Sequence, residues 1–184
     1  MNRRFDITLA LILLLAAPAL AQSPQQHGQP NPPPATPAKL SNQDQSFLQK
    51  AAEAATSEIK LGQLAADKGS NPEVKQFGNQ AIKDFGKAQK DLDKIAGGLK
   101  WIAPDHMSQD AAGQYDDLWK RQGKDFDSRY IDDEINNYQN YVPLFENEAD
   151  HGTDRQLALY AQSLLPTLRS RLNSAKEINQ KLGG

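Results

Sequence analysis

Glu58, Asp84, Tyr138 and Arg171 each fall on a helical stripe otherwise made of Ala, Leu, Ile, Val and Phe. Taking a carboxylate or guanidinium out of water is costly unless the group is paired, hydrogen-bonded or bound to a metal. What these four side chains meet therefore decides the chemistry open to the chain. Glu58 and/or Asp84 can pair with Arg171, with the Tyr138 hydroxyl completing the hydrogen bonds. The side chains can instead snorkel to solvent. Alternatively, Glu58 and Asp84 can offer hard oxygen ligands to Fe, Mn or Zn. A cation at Arg171 opposes that last arrangement, and no His shares the stripes to hold a dimetal carboxylate geometry. The expectation is an inward polar cluster with no metal and no other cofactor; Glu58 and Asp84 are the candidate ligands if a metal is held.

Other chemistry is poorly provided for. The sequence has no HExxH, no phosphate-binding glycine loop, no GxSxG and no Cys. His27, His106 and His151 fall in a Pro-rich stretch, a loop and a helix end. Asp132, Asp133 and Glu134, three acids in a row, read as a solvated charge run. Phe126, Tyr130, Tyr138, Tyr141 and Phe145 follow helical spacing and read as core, while Trp101 and Trp119 read as covers at one end. No catalytic residue is expected, and a non-enzymatic protein is the reading.

The elements that would position the cluster are helices. Ser41-Asn42-Gln43-Asp44 has the form of a capping box, and the helix it starts runs to about Lys68, where Gly69 suits a left-handed cap. Its stripe is Phe47, Ala51, Ala54, Glu58, Leu61 and Ala65, alternating spacings of four and three. Ser70-Asn71-Pro72-Glu73 opens a second helix that ends at Gly97-Gly98, so the first two helices form an antiparallel hairpin. Ser108 caps a third helix, Gly123 interrupts it, and Asp125 can cap its continuation to Asp150. Thr153 caps the last. Pro143 and Pro166 are expected to bend the helices that contain them. The fold class is all-α, an antiparallel four-helix bundle with the third helix interrupted near Gly123.

The flanks speak to location. Arg3-Arg4, the apolar run 7–16 and Ala19-Leu20-Ala21 compose a signal peptide over 1–21, cleaved after Ala21. Residues 22–40 hold six Pro and read as a disordered linker, leaving 41–184 as one domain. The expected location is the periplasm or outside the cell, with no transmembrane segment once the signal is cleaved. Removing 1–21 takes the formal charge from −2 to −3, with no concentrated basic face, so nucleic acid is not an expected partner.

The segments QSFLQKAAEAATSEIKLGQLAADKGSNPEVKQFGNQAIKDF, FDSRYIDDEI and LPTLRSRLNSA carry a likeness to known proteins. Over about 42–179 the chain resembles a ferritin-like domain-of-unknown-function family of exported bacterial proteins, whose members are often labelled predicted outer membrane proteins. The resemblance implies a ferritin-like bundle. Members typically carry Asp-His in the second helix, a His in the third and a His after the Leu-Pro of the last. Here Asp84 is kept, Glu58 is kept, and Phe85, Tyr138 and Arg171 stand at the His positions. The resemblance thus implies a ligand cluster exchanged for a salt-bridged, aromatic-packed interior. The functional expectation is an envelope bundle acting in stress response or as an interaction module, its partner an unknown envelope protein or none. A degenerate metal-binding or redox bundle and a lipid- or partner-binding bundle are the alternatives.

Overall fold

The computed structural model describes residues 40–183. The expected signal peptide 1–21 and all but Leu40 of the expected linker 22–40 lie outside the described residues. Five helices, and no strand among the described residues, follow in order: α1 (Asn42–Lys68), α2 (Pro72–Gly98), α3 (Gln109–Lys120), α4 (Gly123–His151) and α5 (Arg155–Leu182). None is long and apolar enough to cross a membrane.

The capping box at the start of α1 is complete. Ser41 Oγ accepts from Asp44 N–H at 3.0 Å, and Asp44 Oδ2 accepts from Ser41 N–H at 3.2 Å. Asn71 caps α2, with Pro72 in its first turn, and Ser108 caps α3. Two caps differ from expectation. Asp125 does not cap α4: Gln122 stands at that position and makes no side-chain cap bond. Thr153 does not cap α5 either; Asp154 does, accepting from Gln156 and Leu157 N–H. Gly69 is not left-handed, with φ −51° and ψ 136°. It is required for space: a Cβ there would stand 2.7 Å from the Ala65 carbonyl oxygen. Helices α4 and α5 each continue through their proline.

α1 packs extensively on α2, and α4 on α5, while thinner seams join α1 to α4 and α2 to α5. The apolar stripes of these four helices meet in one core containing Phe47, Leu48, Phe85, Phe126, Ile131, Phe145 and Leu168. In the first hairpin the two backbones almost touch. A Cβ on Gly78 would lie 2.6 Å from the Gly62 carbonyl oxygen and 2.9 Å from Ala65 Cβ, and one on Gly62 would lie 2.8 Å from the Gly78 carbonyl oxygen. Gly78→Ala is therefore expected to destabilise by about 1–3 kcal/mol through overpacking, despite the better helix propensity of Ala. Urea denaturation checks this, and an unchanged midpoint would mean that the helices can separate freely.

The two hairpins are related by an internal repeat with an offset of 83 residues. Ala-Asp-Lys-Gly-Ser-Asn at 66–71 reappears as Ala-Asp-His-Gly-Thr-Asp at 149–154. Asp44 and Asp127 are separated by the same offset, and each ties down the turn of the other hairpin. Asp44 accepts from Thr153 N–H at 2.9 Å and from the Thr153 hydroxyl. Asp127 accepts from Ser70 N–H at 2.9 Å, Asn71 N–H at 2.8 Å and the Ser70 hydroxyl. Both aspartates are buried. Burial alone would raise the Asp44 pKa, but the bonds from Thr153 and Ser41 lower it to about 2. A folded pKa below the unfolded one adds stability above the unfolded value of 3.8, and that stability is lost as pH falls toward 2. Asp127→Ala is expected to cost about 2–3 kcal/mol, because two backbone N–H groups and a hydroxyl lose their acceptor. A denaturation midpoint equal to wild type would show that water replaces the carboxylate at no cost.

Trp119, expected to cover the core, is 60% exposed. Its ring stacks on Tyr115, with Lys68 Nζ 5.2 Å from the ring centroid. Lys68 also donates to the Leu118 and Trp119 carbonyls, so the end of α3 is fastened by its backbone and the indole lies outside. Trp101 packs partly buried against the core.

Candidate functional site

Three of the four expected residues converge in the interior. Glu58 comes from α1, Tyr138 from α4 and Arg171 from α5, and each is buried. The Tyr138 hydroxyl donates to Glu58 Oε2 at 2.6 Å and accepts from Arg171 Nε at 2.6 Å. Arg171 Nη2 donates to the Phe77 carbonyl at 3.1 Å, using the second lone pair of a helix acceptor. Nη1 reaches Asp84 Oδ2 at 3.4 Å. The guanidinium carbon lies 4.2 Å from the Phe77 ring centroid, 5.4 Å from Tyr138 and 5.9 Å from Phe85. A desolvated cation among aromatic faces gains from their quadrupoles as well as from its hydrogen bonds.

Asp84 is not an interior residue. It sits at the rim, its side chain 23% exposed, because the core position beside it on α2 is taken by Phe85. Gln80 Nε2 donates to it at 2.8 Å.

The residue that completes the interior is Glu134, which is not part of a solvated charge run. Both Glu134 and Asp133 are buried, leaving only Asp132 of the three exposed. Asp133 pairs with Arg129 at 3.0 Å, and burial, opposed by Arg129, raises its pKa to about 6. Glu134 lies beside Glu58 in the interior, close enough for each carboxyl to shift the other's titration. Glu58 Oε1 and both Glu134 oxygens have no donor from any other group among the described residues. A proton bridging one oxygen of each carboxyl would satisfy two of these three, and the buried Tyr130 hydroxyl, itself without a partner among the described residues, stands near Glu134. Burial, then the charge of Glu58, pushes the Glu134 pKa well above the usual carboxylate range; burial raises that of Glu58 too, opposed by the bond from Glu134. Of the two, Glu134 is pushed further toward its protonated form. The Tyr130, Tyr138 and Tyr141 phenols are held protonated, first by burial and then by these carboxyls. With one proton on the carboxyl pair, a single negative charge faces one guanidinium.

Glu58 and Asp84 do not form a joint ligand set. Arg171 stands between them in the hydrogen-bond chain from Glu58 through Tyr138 to Asp84. Among the described residues no group of three or more His, Cys, Asp or Glu side chains is arranged to hold a metal ion. His106 and His151 lie exposed against the Met107 and Asn147 carbonyls, and His27 is outside the described residues. The hydrogen-bond chain runs from the buried Glu58 through Tyr138 and Arg171 to Asp84 at the rim.

A family described as a domain of unknown function, DUF4142, matches residues 29–178, a span that includes every residue of this cluster. The chain belongs to the DUF4142 family. No curated protein matches the sequence. Solved structures with a similar fold include a DUF305 fragment from Deinococcus radiodurans, at 11% identity, covering 77% of this chain and 98% of that one with a TM-score of 0.68. CopM in its Cu(II)-bound form is 20% identical over 75% of this chain and 96% of its own, with a TM-score of 0.65. CopM in its apo form is 21% identical over 77% and 98%, with a TM-score of 0.63. At such identities the likeness concerns the fold: DUF4142 in this chain, DUF305 and CopM share an all-helical architecture.

Proposed function

We propose that this DUF4142 protein is an exported, non-enzymatic helical protein of the cell envelope, a ferritin-like four-helix bundle with its third helix interrupted before Gly123. Its interior is held by an arginine-centred charge network in the place of a metal centre. The observation that carries the reading is the Arg171 guanidinium, 5% exposed, spending its donors on Tyr138, the Phe77 carbonyl and Asp84. A permanent cation there repels a metal ion, and the donor set lacks an imidazole to complete a site. Export rests on the signal-peptide pattern over 1–21, cleaved after Ala21, with the Pro-rich stretch 22–40 as a spacer ahead of the domain 41–184. The same features support a periplasmic or secreted location and a role as an interaction module.

A second reading is favoured by the Glu58 and Glu134 oxygens that lack outside donors and by the fold shared with a copper-bound protein. In it the two glutamates lose their proton and bind a metal. Metal analysis of residues 22–184, purified without chelators, separates the two, supported by melting curves with added Fe, Mn, Zn and Cu. The charge-network reading expects no metal and unmoved midpoints. Near-stoichiometric metal that disappears in both Glu58→Gln and Glu134→Gln would replace it with the metal reading.

A further inference from the structure

The thin seam between α2 and α5 opens into a cleft of about 750 Å³, with Arg171 and Asp84 in its lining. Asp84 and Thr167 also line a second cleft, of about 450 Å³, further along the same seam. A guanidinium carries five N–H groups. Three of those on Arg171 are used by Tyr138, the Phe77 carbonyl and Asp84, which leaves one on Nη1 and one on Nη2 without a protein acceptor among the described residues. Its contact with Asp84 is long, at 3.4 Å, so a cation and an anion stand side by side at the cleft with incomplete pairing. The apolar lining residues are Phe77, Ile178 and Pro166, with Ser170 and Ser174 alongside.

The charge balance narrows the ligand. Glu73 and Lys181 neutralise each other at 2.9 Å, and the lining then holds two acids, Asp84 and Glu177, beside one guanidinium, Arg171, which also faces the interior carboxyl pair. A simple anion entering this lining meets more acid than base, and a simple cation meets the guanidinium. A zwitterion with its opposite charges two bonds apart meets one partner for each. We propose that the α2–α5 cleft binds a free α-amino acid, its carboxylate taken by the unused N–H groups of Arg171, its ammonium by Asp84, and its side chain against Pro166 and Ile178. A ligand of this kind lies within the range that clefts of this size accept, and carboxylate recognition by a forked guanidinium supplies its orientation. The site shares Arg171 and Asp84 with the interior network and calls on no metal itself.

The test titrates the purified protein with each of the twenty common α-amino acids at millimolar concentration, read by calorimetry and by amide NMR shifts. At least one is expected to bind and to move the amides of Phe77, Gln80, Ser170 and Ser174. Its deaminated acid and its decarboxylated amine are each expected to bind at least tenfold more weakly. Asp84→Asn, at the rim, should keep the fold and weaken binding by a similar factor, and Ser174→Phe should fill the cleft and abolish it. No binding by any amino acid would overturn the proposal. So would a deaminated acid that binds as well as its parent, or an Asp84→Asn protein with unchanged affinity.

Discussion

Arg171→Ala is expected to lower stability by about 3–5 kcal/mol, the range for removing one partner of a buried charge pair. The loss has three sources in the structure. The negative charge shared by Glu58 and Glu134 is left facing Tyr138 with no cation behind it. The Phe77 carbonyl and the Tyr138 hydroxyl each lose a charged donor. The space between the Phe77, Phe85 and Tyr138 rings empties. For a domain of this size the loss corresponds to a melting temperature lower by on the order of 10 °C. Glu58→Gln combined with Arg171→Met should recover much of it, since the carboxyl charge and the guanidinium then leave together. Asp84 is at the rim and can turn to solvent. Urea denaturation of the single and double variants at neutral pH measures both effects. A single-variant cost under about 1 kcal/mol would place the ion pair with ordinary exposed bridges and remove the basis for the charge network.

Glu134→Gln is expected to gain on the wild type as pH rises. Glu134 has a folded pKa well above its ordinary value of 4.5, so from that value upward the native state keeps a proton that the unfolded chain releases. Stability of the wild type therefore falls with rising pH until the folded pKa is passed. Glutamine does not titrate, and its amide can donate to Glu58 as the protonated acid does. The stability difference between the two proteins should move in favour of the variant by up to about 1.4 kcal/mol per pH unit. Denaturation midpoints of both proteins from about pH 5 to about pH 8 give the slope. Parallel curves would show that Glu134 is ionised in the fold and that the carboxyl pair shares no proton. Glu148, whose pKa burial pushes up to about 7, and Asp133, raised to about 6, add slopes of the same sign to both proteins, and these cancel in the difference.

Helix positions were legible because their signals are local. The Ser41 capping box, Asn71-Pro72 and Gly97-Gly98 act within one turn of the residues they govern. Glu58, Tyr138 and Arg171 were legible because an uninterrupted spacing of three and four puts them among buried neighbours. Asp84 was misplaced by one position, since Asp84 and Phe85 compete for one step of the stripe and the larger apolar side chain takes it. Glu134 was hidden by its acidic neighbours, although its spacing of three from Ile131 and four to Tyr138 follows the same rule. Asp44 and Asp127 could not be read locally, because each acts on a turn more than fifty residues away. The Ala-Asp-x-Gly repeat at the two turns was the available signal.

That repeat bears on how the charged interior arose in the chain. Where the first hairpin has Ala51, Ala55 and Ala88, the positions 83 residues later are Glu134, Tyr138 and Arg171; Glu58 corresponds to Tyr141. Two identical hairpins related by a twofold axis would have to place both copies of each bulky polar group in one core, or neither. Joining the halves in a single polypeptide lifts that restriction. One half can stay small where the other grows large, and a lone guanidinium can sit in an otherwise duplicated frame. The asymmetry that distinguishes this interior is thus one that a symmetric dimer of hairpins cannot encode.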